Sequence, residues 1–450
     1  MSYSPKRDDL LCPGIALYDN MNKRIQRTTI IIGAGAPLNF SLPEDVLCPS
    51  TENITSEVMK PYRNVFDEHK PITIVREMYD HLMATLPPDF SPWSTKSEPY
   101  VHFEMLFHVV EMYYAYYNSW SGKCHNPDIF PIFGSFTGAS RIYDIRELGQ
   151  VMKPFIMRIM EIVHDYDNYF SKEKDGSESW YKDFFAKAPW KWDVFNFNYD
   201  TTVEQSLGVF EDGFELIDGA DYYQFKPQKL MKNETGVHTV NHLHGCILYN
   251  YEIESNRAVY DYQHSDLFKY STFEQNMDMM RGRSQSLPTA QNREQFISGP
   301  IITGLRKTEK LNCIPYDFYH ANLVNSILHN PALVICGYSF GDLYVNQLIE
   351  RMRLIHGDKR RIVIIDYWDP NKIKESGIEH FFEYSLTSHF VMFLLRMCEV
   401  DYHGKLPDAL KYNSTKTPMY SKNGCLMLLV NGMKDASTHW KEIEEFIRKP

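Results

Sequence analysis

Residues 332–366 read ALVICGYSFGDLYVNQLIERMRLIHGDKRRIVIID. The apolar run Leu333 to Cys336 stops at Gly337, as a buried strand running into a glycine turn would. Apolar residues return at helical spacing from Leu343 to Ile355, and a β-branched run, Ile362 to Ile365, closes on Asp366. Upstream, Ile301-Ile302 reads as a strand near a Pro/Gly break and precedes a helical pattern from about Tyr316 to His329. Strands alternating with helices in this way predict a parallel sheet with right-handed crossovers.

Working outward, Arg27 to Ile32 is a strand signal that ends in Gly33-Ala34-Gly35-Ala36-Pro37. Helical spacing takes over from Thr55 to about Ala188, and strands return at Trp192 to Phe197 and in the apolar segment Val240 to Tyr249, with a helix start at Thr201. Residues 251–295 are polar and read as an insertion or loop. The tail holds a long apolar-aromatic helix around His380 to Cys398, a strand-like Cys425 to Val430 and a final amphipathic helix. The expected organisation is an α/β, Rossmann-like parallel sheet begun by residues 1–54, interrupted by a helical insertion at 55–190, completed by 191–370, and followed by a short C-terminal α/β extension at 371–450.

Composition narrows the function. With 43% hydrophobic and 23% charged residues, the chain is neither disordered nor low-complexity, and its 450 residues suffice for one large core with insertions. A net charge of −11 argues against nucleic acid or anionic lipid as direct ligands. The opening residues lack an apolar signal region and no stretch is long enough to span a membrane, so a cytoplasmic protein is expected. The eight cysteines, at 12, 48, 124, 246, 313, 336, 398 and 425, form no C-x-x-C pair, which points to reduced thiols and no structural zinc.

Several residues could carry chemistry. Gly33, Ala34 and Gly35 sit where a parallel sheet binds ligands, and glycines let backbone N–H groups approach a phosphate; a plain tight turn would look the same. Asn198 and Asp200 lie where the strand before them runs out, either facing a ligand or serving as turn former and helix cap. His242 and His244 fall two apart. His242 reads as hydrogen-bonded structure, whereas His244, followed by a glycine, can be presented to a cleft. Gly337 to Asp342 joins strand to helix, so its amides and the Ser339 hydroxyl could hold a phosphate or ribose, unless the turn is only a start capped by Asp342. Gly337, Ser339 and Gly341 also fit the nucleophile elbow of serine hydrolases. Asp366 ends a strand where an acid can meet a ribose diol.

Taken in this order, Gly33-Ala-Gly35, Asn198-Tyr-Asp200, His244-Gly245, Gly337-Tyr-Ser339 and the strand ending at Asp366 resemble the sirtuin family over residues 27–367. That family's pattern is a G-A-G loop, an N-I-D segment, a catalytic histidine followed by glycine, a G-T-S loop and a strand whose last residue meets the adenosine ribose. The chain departs from it in having no C-x-x-C pair between His244 and Gly337, in Pro37 to Phe40, which lacks the usual acid and arginine, and in Phe197 where glutamine is usual. The helical insertion, the Asn198 to Glu204 segment and the Gly337 to Asp342 segment look like the sirtuin-like NAD hydrolases of bacterial antiphage defence.

The resemblance implies NAD as substrate, no metal, and NAD depletion rather than lysine deacylation as the output. It gives Asn198 the nicotinamide ribose and attacking water, His244 a general-base role toward the ribose hydroxyls or that water, Asp200 the developing positive charge, Gly33, Ala34, Gly35, Gly337 and Ser339 the pyrophosphate side, and Asp366 the adenosine ribose. Related chains assemble with a HerA-type ATPase or an Argonaute-like protein, so a homo-oligomer or such a partner is expected, with contacts from the helical block and tail. The competing readings are a catalytically silent nucleotide-binding scaffold, a protein deacylase and a serine hydrolase acting through Ser339.

Overall fold

A computed structural model describes residues 27–61, 73–85, 101–110, 145–231, 236–251, 267–282, 300–304, 314–368, 388–399, 410–411 and 418–449, together with Lys307 and Leu311. Its centre is a nine-stranded sheet. The strands are β1 (Arg27–Ile32), β2 (Lys191–Asn196), β3 (Phe210–Glu211), β6 (His238–His242), β9 (Ala332–Cys336), β10 (Arg361–Ile365), β11 (Leu410–Lys411), β12 (Met419–Ser421) and β13 (Leu426–Leu429). Their spatial order is β11-β12-β13-β10-β9-β1-β2-β6-β3, parallel throughout except at β11 and β12, which pair antiparallel at one edge. The fold is thus the mixed α/β, Rossmann-like arrangement that residues 332–366 announce.

Period-two alternation splits the strands between two cores. Ile31, Phe195, Leu333, Ile335, Ile362, Ile364, Leu426 and Leu428 face one, and Ile30, Ile32, Val194, Val334, Cys336, Val363, Ile365, Met427 and Leu429 face the other. Burial on both faces is why these strands read as unbroken apolar runs. The first core is covered by α1 (Thr51–Val58), α2 (Ile74–Thr85), a helical stretch at 103–110, α7 (Tyr316–His329), α8 (Leu343–His356) and α9 (Ser388–Met397). The second is covered by α4 (Ser179–Ala186), α10 (Gly432–Ala436) and α11 (Trp440–Ile447). The 29-residue α3 (Ile145–Glu173) serves both: Phe155, Ile159 and Val163 join the first core, Tyr166 and Phe170 the second.

Three sequence expectations change. Within 251–295, the described residues are a strand, β8 (Leu267–Tyr270), and a helix, α6 (Phe273–Gly282), instead of a loop. With β4 (Phe214–Leu216), β5 (Tyr222–Phe225) and β7 (Tyr249–Tyr251), β8 builds a small antiparallel sheet. Ile301-Ile302 contributes only a bridge from Ile301 to Gly245, because it is held by the turn after β6 and not by a neighbouring strand. The chain end is integral to the main sheet, since β13 pairs in parallel with β10 and α11 packs over it. The described cysteines, Cys48, Cys246, Cys336, Cys398 and Cys425, are free, and among the described residues no helix is long and apolar enough to cross a membrane.

Candidate functional site

The parallel strands end at one level, since the registers pair Ile32 with both Asn196 and Cys336, Asn196 with His242, and Cys336 with Ile365. Apart from His242, which ends β6, the residues singled out in the sequence lie in the loops that leave those ends. β1 stands where the strand order reverses, with β9 on one side and β2 on the other. A crevice outside the carboxyl ends at such a point is where open α/β sheets take ligands.

Two loops meet there backbone to backbone. Gly33 N–H donates to Cys336 O at 2.9 Å, and Gly35 N–H donates to Gly337 O at 2.8 Å. A Cβ on Gly337, whose φ is +58°, would lie 1.9 Å from the Ala36 nitrogen, so only glycine fits. The Ala34 and Ser339 N–H groups donate to no described residue and are available to an anion.

Beside them, Asn196 folds the chain back by accepting the Asn198 N–H at 3.0 Å, a side-chain turn that brings Asn198 Nδ2 to 3.2 Å from Gly33 O. Asp200 is only 1% exposed and spends one oxygen on Thr202, accepting its N–H at 3.1 Å and its hydroxyl at 2.5 Å, at the start of α5 (Thr202–Leu207). Burial raises its carboxyl above the ordinary range. Asp366 accepts the Tyr367 N–H at 2.8 Å and the Trp368 indole N–H at 3.2 Å.

The two histidines have separate fates. His242 ends β6, buried, with Nε2 2.5 Å from Glu204 Oε1 and Nδ1 3.3 Å from Asn198 O. Burial would depress His242 and raise Glu204, but their contact reverses both shifts, leaving a structural ion pair. These two and Cys246 hold ligand atoms within 4.8 Å of one another, the one such trio among the described residues. His244 lies in the turn beyond β6, where its carbonyl accepts the Ile302 N–H at 2.6 Å and Gly245, at φ +95°, lets the chain pass Pro300. Its ring is 8% exposed, meets the Phe197 ring edge-on at 4.8 Å, and has Nε2 3.7 Å from Asp342 Oδ2. Phe197 in turn tilts against Tyr338 at 5.1 Å, so an aromatic wall joins the Asn198, His244 and Gly337 loops. Burial, with Lys307 adding to it, pulls the His244 pKa down, which keeps the imidazole neutral near pH 7.

Ser339 is exposed, and its hydroxyl bonds to no described residue. The strained turn residue is its neighbour Phe340, at φ +55°, and not the serine that a nucleophile elbow would place there.

With the geometry in place, comparison with known families adds one finding: residues 193–387 match the family model of the SIR2-like domain. The chain carries a SIR2-like domain. SIR2-like domains are in general NAD-dependent enzymes. The matched stretch holds Asn198, His244, Gly337 to Asp342 and Asp366, while the Gly33 loop is brought to the SIR2-like domain by the pairing of β1 with β2 and β9. No curated protein matches the chain.

Around this SIR2-like site stand residues that the sequence reading missed. Glu104 and Lys307 pair at 2.7 Å and their charges act on His244. Asp167 of α3 accepts the Thr201 N–H at 2.8 Å and hydroxyl at 2.7 Å, and burial with the nearby Asp200 charge lifts it to about 7. None of these has a local signal, because each partner comes from a distant part of the chain. Asp342 was legible as a helix cap alone.

Proposed function

We propose that the protein is an NAD glycohydrolase, splitting NAD with water into nicotinamide and ADP-ribose. What supports the reading most is the placing of a buried, neutral His244 and of an Asn198 fixed to the Gly33 loop just beyond the ends of the adjacent strands β6 and β2, beside the switch point of the sheet. The pyrophosphate would accept from the Ala34 and Ser339 amides, with Gly33, Gly35 and Gly337 shaping the cradle and Asp366 near the adenosine ribose. As the glycosidic bond breaks, its electron pair returns to the nicotinamide ring nitrogen and an oxocarbenium-like centre forms on the ribose. Asn198 orients water toward that carbon, and His244 takes the water proton as the new C–O bond forms. Asp200, two residues on, caps the start of α5 through Thr202.

General-base assistance contributes about 10²- to 10⁴-fold, so H244Q and N198A are each expected to slow nicotinamide release from NAD by at least about 100-fold. The measurement is nicotinamide release by the purified full chain and the two variants. Equal release by wild type and H244Q would overturn the reading, and tight binding of an NAD analogue without turnover would favour a silent scaffold instead.

The forms Asn-Tyr-Asp-Thr-Thr-Val-Glu204 and Gly-Tyr-Ser-Phe-Gly-Asp342 carry the reading one step further, to an effector of antiphage defence that depletes cytoplasmic NAD and is held in check by self-assembly or by an ATPase partner. Cellular NAD should then fall on phage challenge with the wild-type protein and hold steady with H244Q.

A further inference from the structure

We propose that Asp342 is a positioning residue for His244: once the ring takes a proton, the free carboxylate oxygen beside it draws the imidazolium into place and favours it. The consequence for turnover rests on the glycohydrolase reading, whereas the pair itself rests on geometry. Asp342 stands at the start of α8, and its Oδ1 accepts the N–H groups of Tyr344 at 3.0 Å and Val345 at 3.2 Å. The carboxylate therefore cannot turn without uncapping the helix. Oδ2, left over, is the oxygen 3.7 Å from His244 Nε2.

The loop that delivers Asp342 is fastened on every side. The Tyr338 hydroxyl donates to Asp342 O at 3.2 Å and accepts from Asp342 N–H at 3.3 Å, and Asn346 Nδ2 donates to Phe340 O at 2.7 Å. Phe340 holds a left-handed backbone, uncommon outside glycine, with its ring buried 4.4 Å from that of Phe393. On the other partner, the His244 backbone is pinned by Ile302 and its ring is closed in by Phe197.

Among the described residues, the charged and titratable groups facing His244 are Asp342, Lys307, Glu104 and His320 of α7. Lys307 repels a protonated ring, Glu104 is engaged by Lys307, and His320 is depressed to about 4 by burial and by His244. Of these, Asp342 is the carboxylate that stands within ion-pair reach of the ring, its Oδ2 3.7 Å from Nε2. An acid that orients a histidine base and steadies its protonated form is a recurrent solution to this problem.

The test uses D342N and D342S, both of which keep a capping oxygen while removing the charge. Without the carboxylate the His244 pKa falls, so the acid limb of nicotinamide release should move to lower pH and the rate on the plateau should drop by about tenfold or more, with D342E restoring part of it. A merely structural role would lower the rate equally at all pH and depress the melting temperature. Independently of turnover, the His244 carbon resonance, assigned by its loss in H244Q, should titrate at lower pH in D342N and D342S than in wild type. An unchanged titration overturns the proposal. A shifted titration in a protein that does not turn over NAD would instead sink the glycohydrolase reading and leave the pair standing.

Discussion

A methyl group added at Gly33 would have to enter space held by Gly337 O, 2.6 Å away, and Tyr338 Cα, 2.8 Å away. Both are backbone and cannot swing aside, so the loops must part. G33A is expected to cost about 1–3 kcal/mol, the usual range for overpacking, and to remove NAD binding, as denaturant melts and calorimetry would register. Gly341 is the control: its Cβ would meet only Ser339 Oγ at 3.4 Å, so G341A should leave stability nearly unchanged. At this scale the sequence reveals residue types well, because a glycine or a His-Gly pair at a strand end is unusual wherever it lies. It cannot reveal pairings. Nothing near Gly33 announces Gly337, and nothing near His244 announces Lys307 or Glu104, since those contacts exist only once the strands have been ordered.

Between elements, Asp167 joins the last turns of α3 to the Thr201 start of α5. Its folded pKa, lifted by burial and by Asp200 from an ordinary 3.8 to about 7, means that the native state binds more protons than the unfolded chain across that interval. Stability from this group is therefore full below about pH 4 and declines as pH rises toward 7. D167N should flatten the dependence of melting temperature on pH in that window, which thermal melts at pH 4, 5, 6 and 7 would reveal. A second link was legible and unused. Thr272 and Gln275 form a reciprocal capping box, each side chain accepting the other's N–H at 3.2 Å, at the start of α6. T272A should cost about 1 kcal/mol. The polar look of residues 251–295 hid it, because the buried Leu267, Phe268 and Tyr270 of β8 make too short a run to stand out from their polar surroundings. The long parallel strands were plain for the opposite reason.

For the whole molecule, the decisive question is whether residues 418–449 are an appendage, as their distance from the motifs suggests, or part of the sheet. β13 lies fully buried against β10, and Trp440 of α11 meets Phe184 at 5.0 Å, Trp190 at 5.8 Å and Trp192 at 6.0 Å across the second core. Local patterning cannot show that a strand after a long excursion returns beside β10, since any apolar strand could fill that edge. The topology gives the return a cost if it is undone. Truncation after residue 417 would leave β10 as an unpaired edge and open the aromatic core of α4 and β2 to water, so the shortened chain should be insoluble or melt far below the full one. W440A, a milder form of the same experiment, should lose about 3–5 kcal/mol in a denaturant titration. A truncated chain that stayed folded and kept its NAD site would mean that this edge is separable and free to serve a partner. Collapse would mean that any partner must dock on surfaces the sheet leaves exposed.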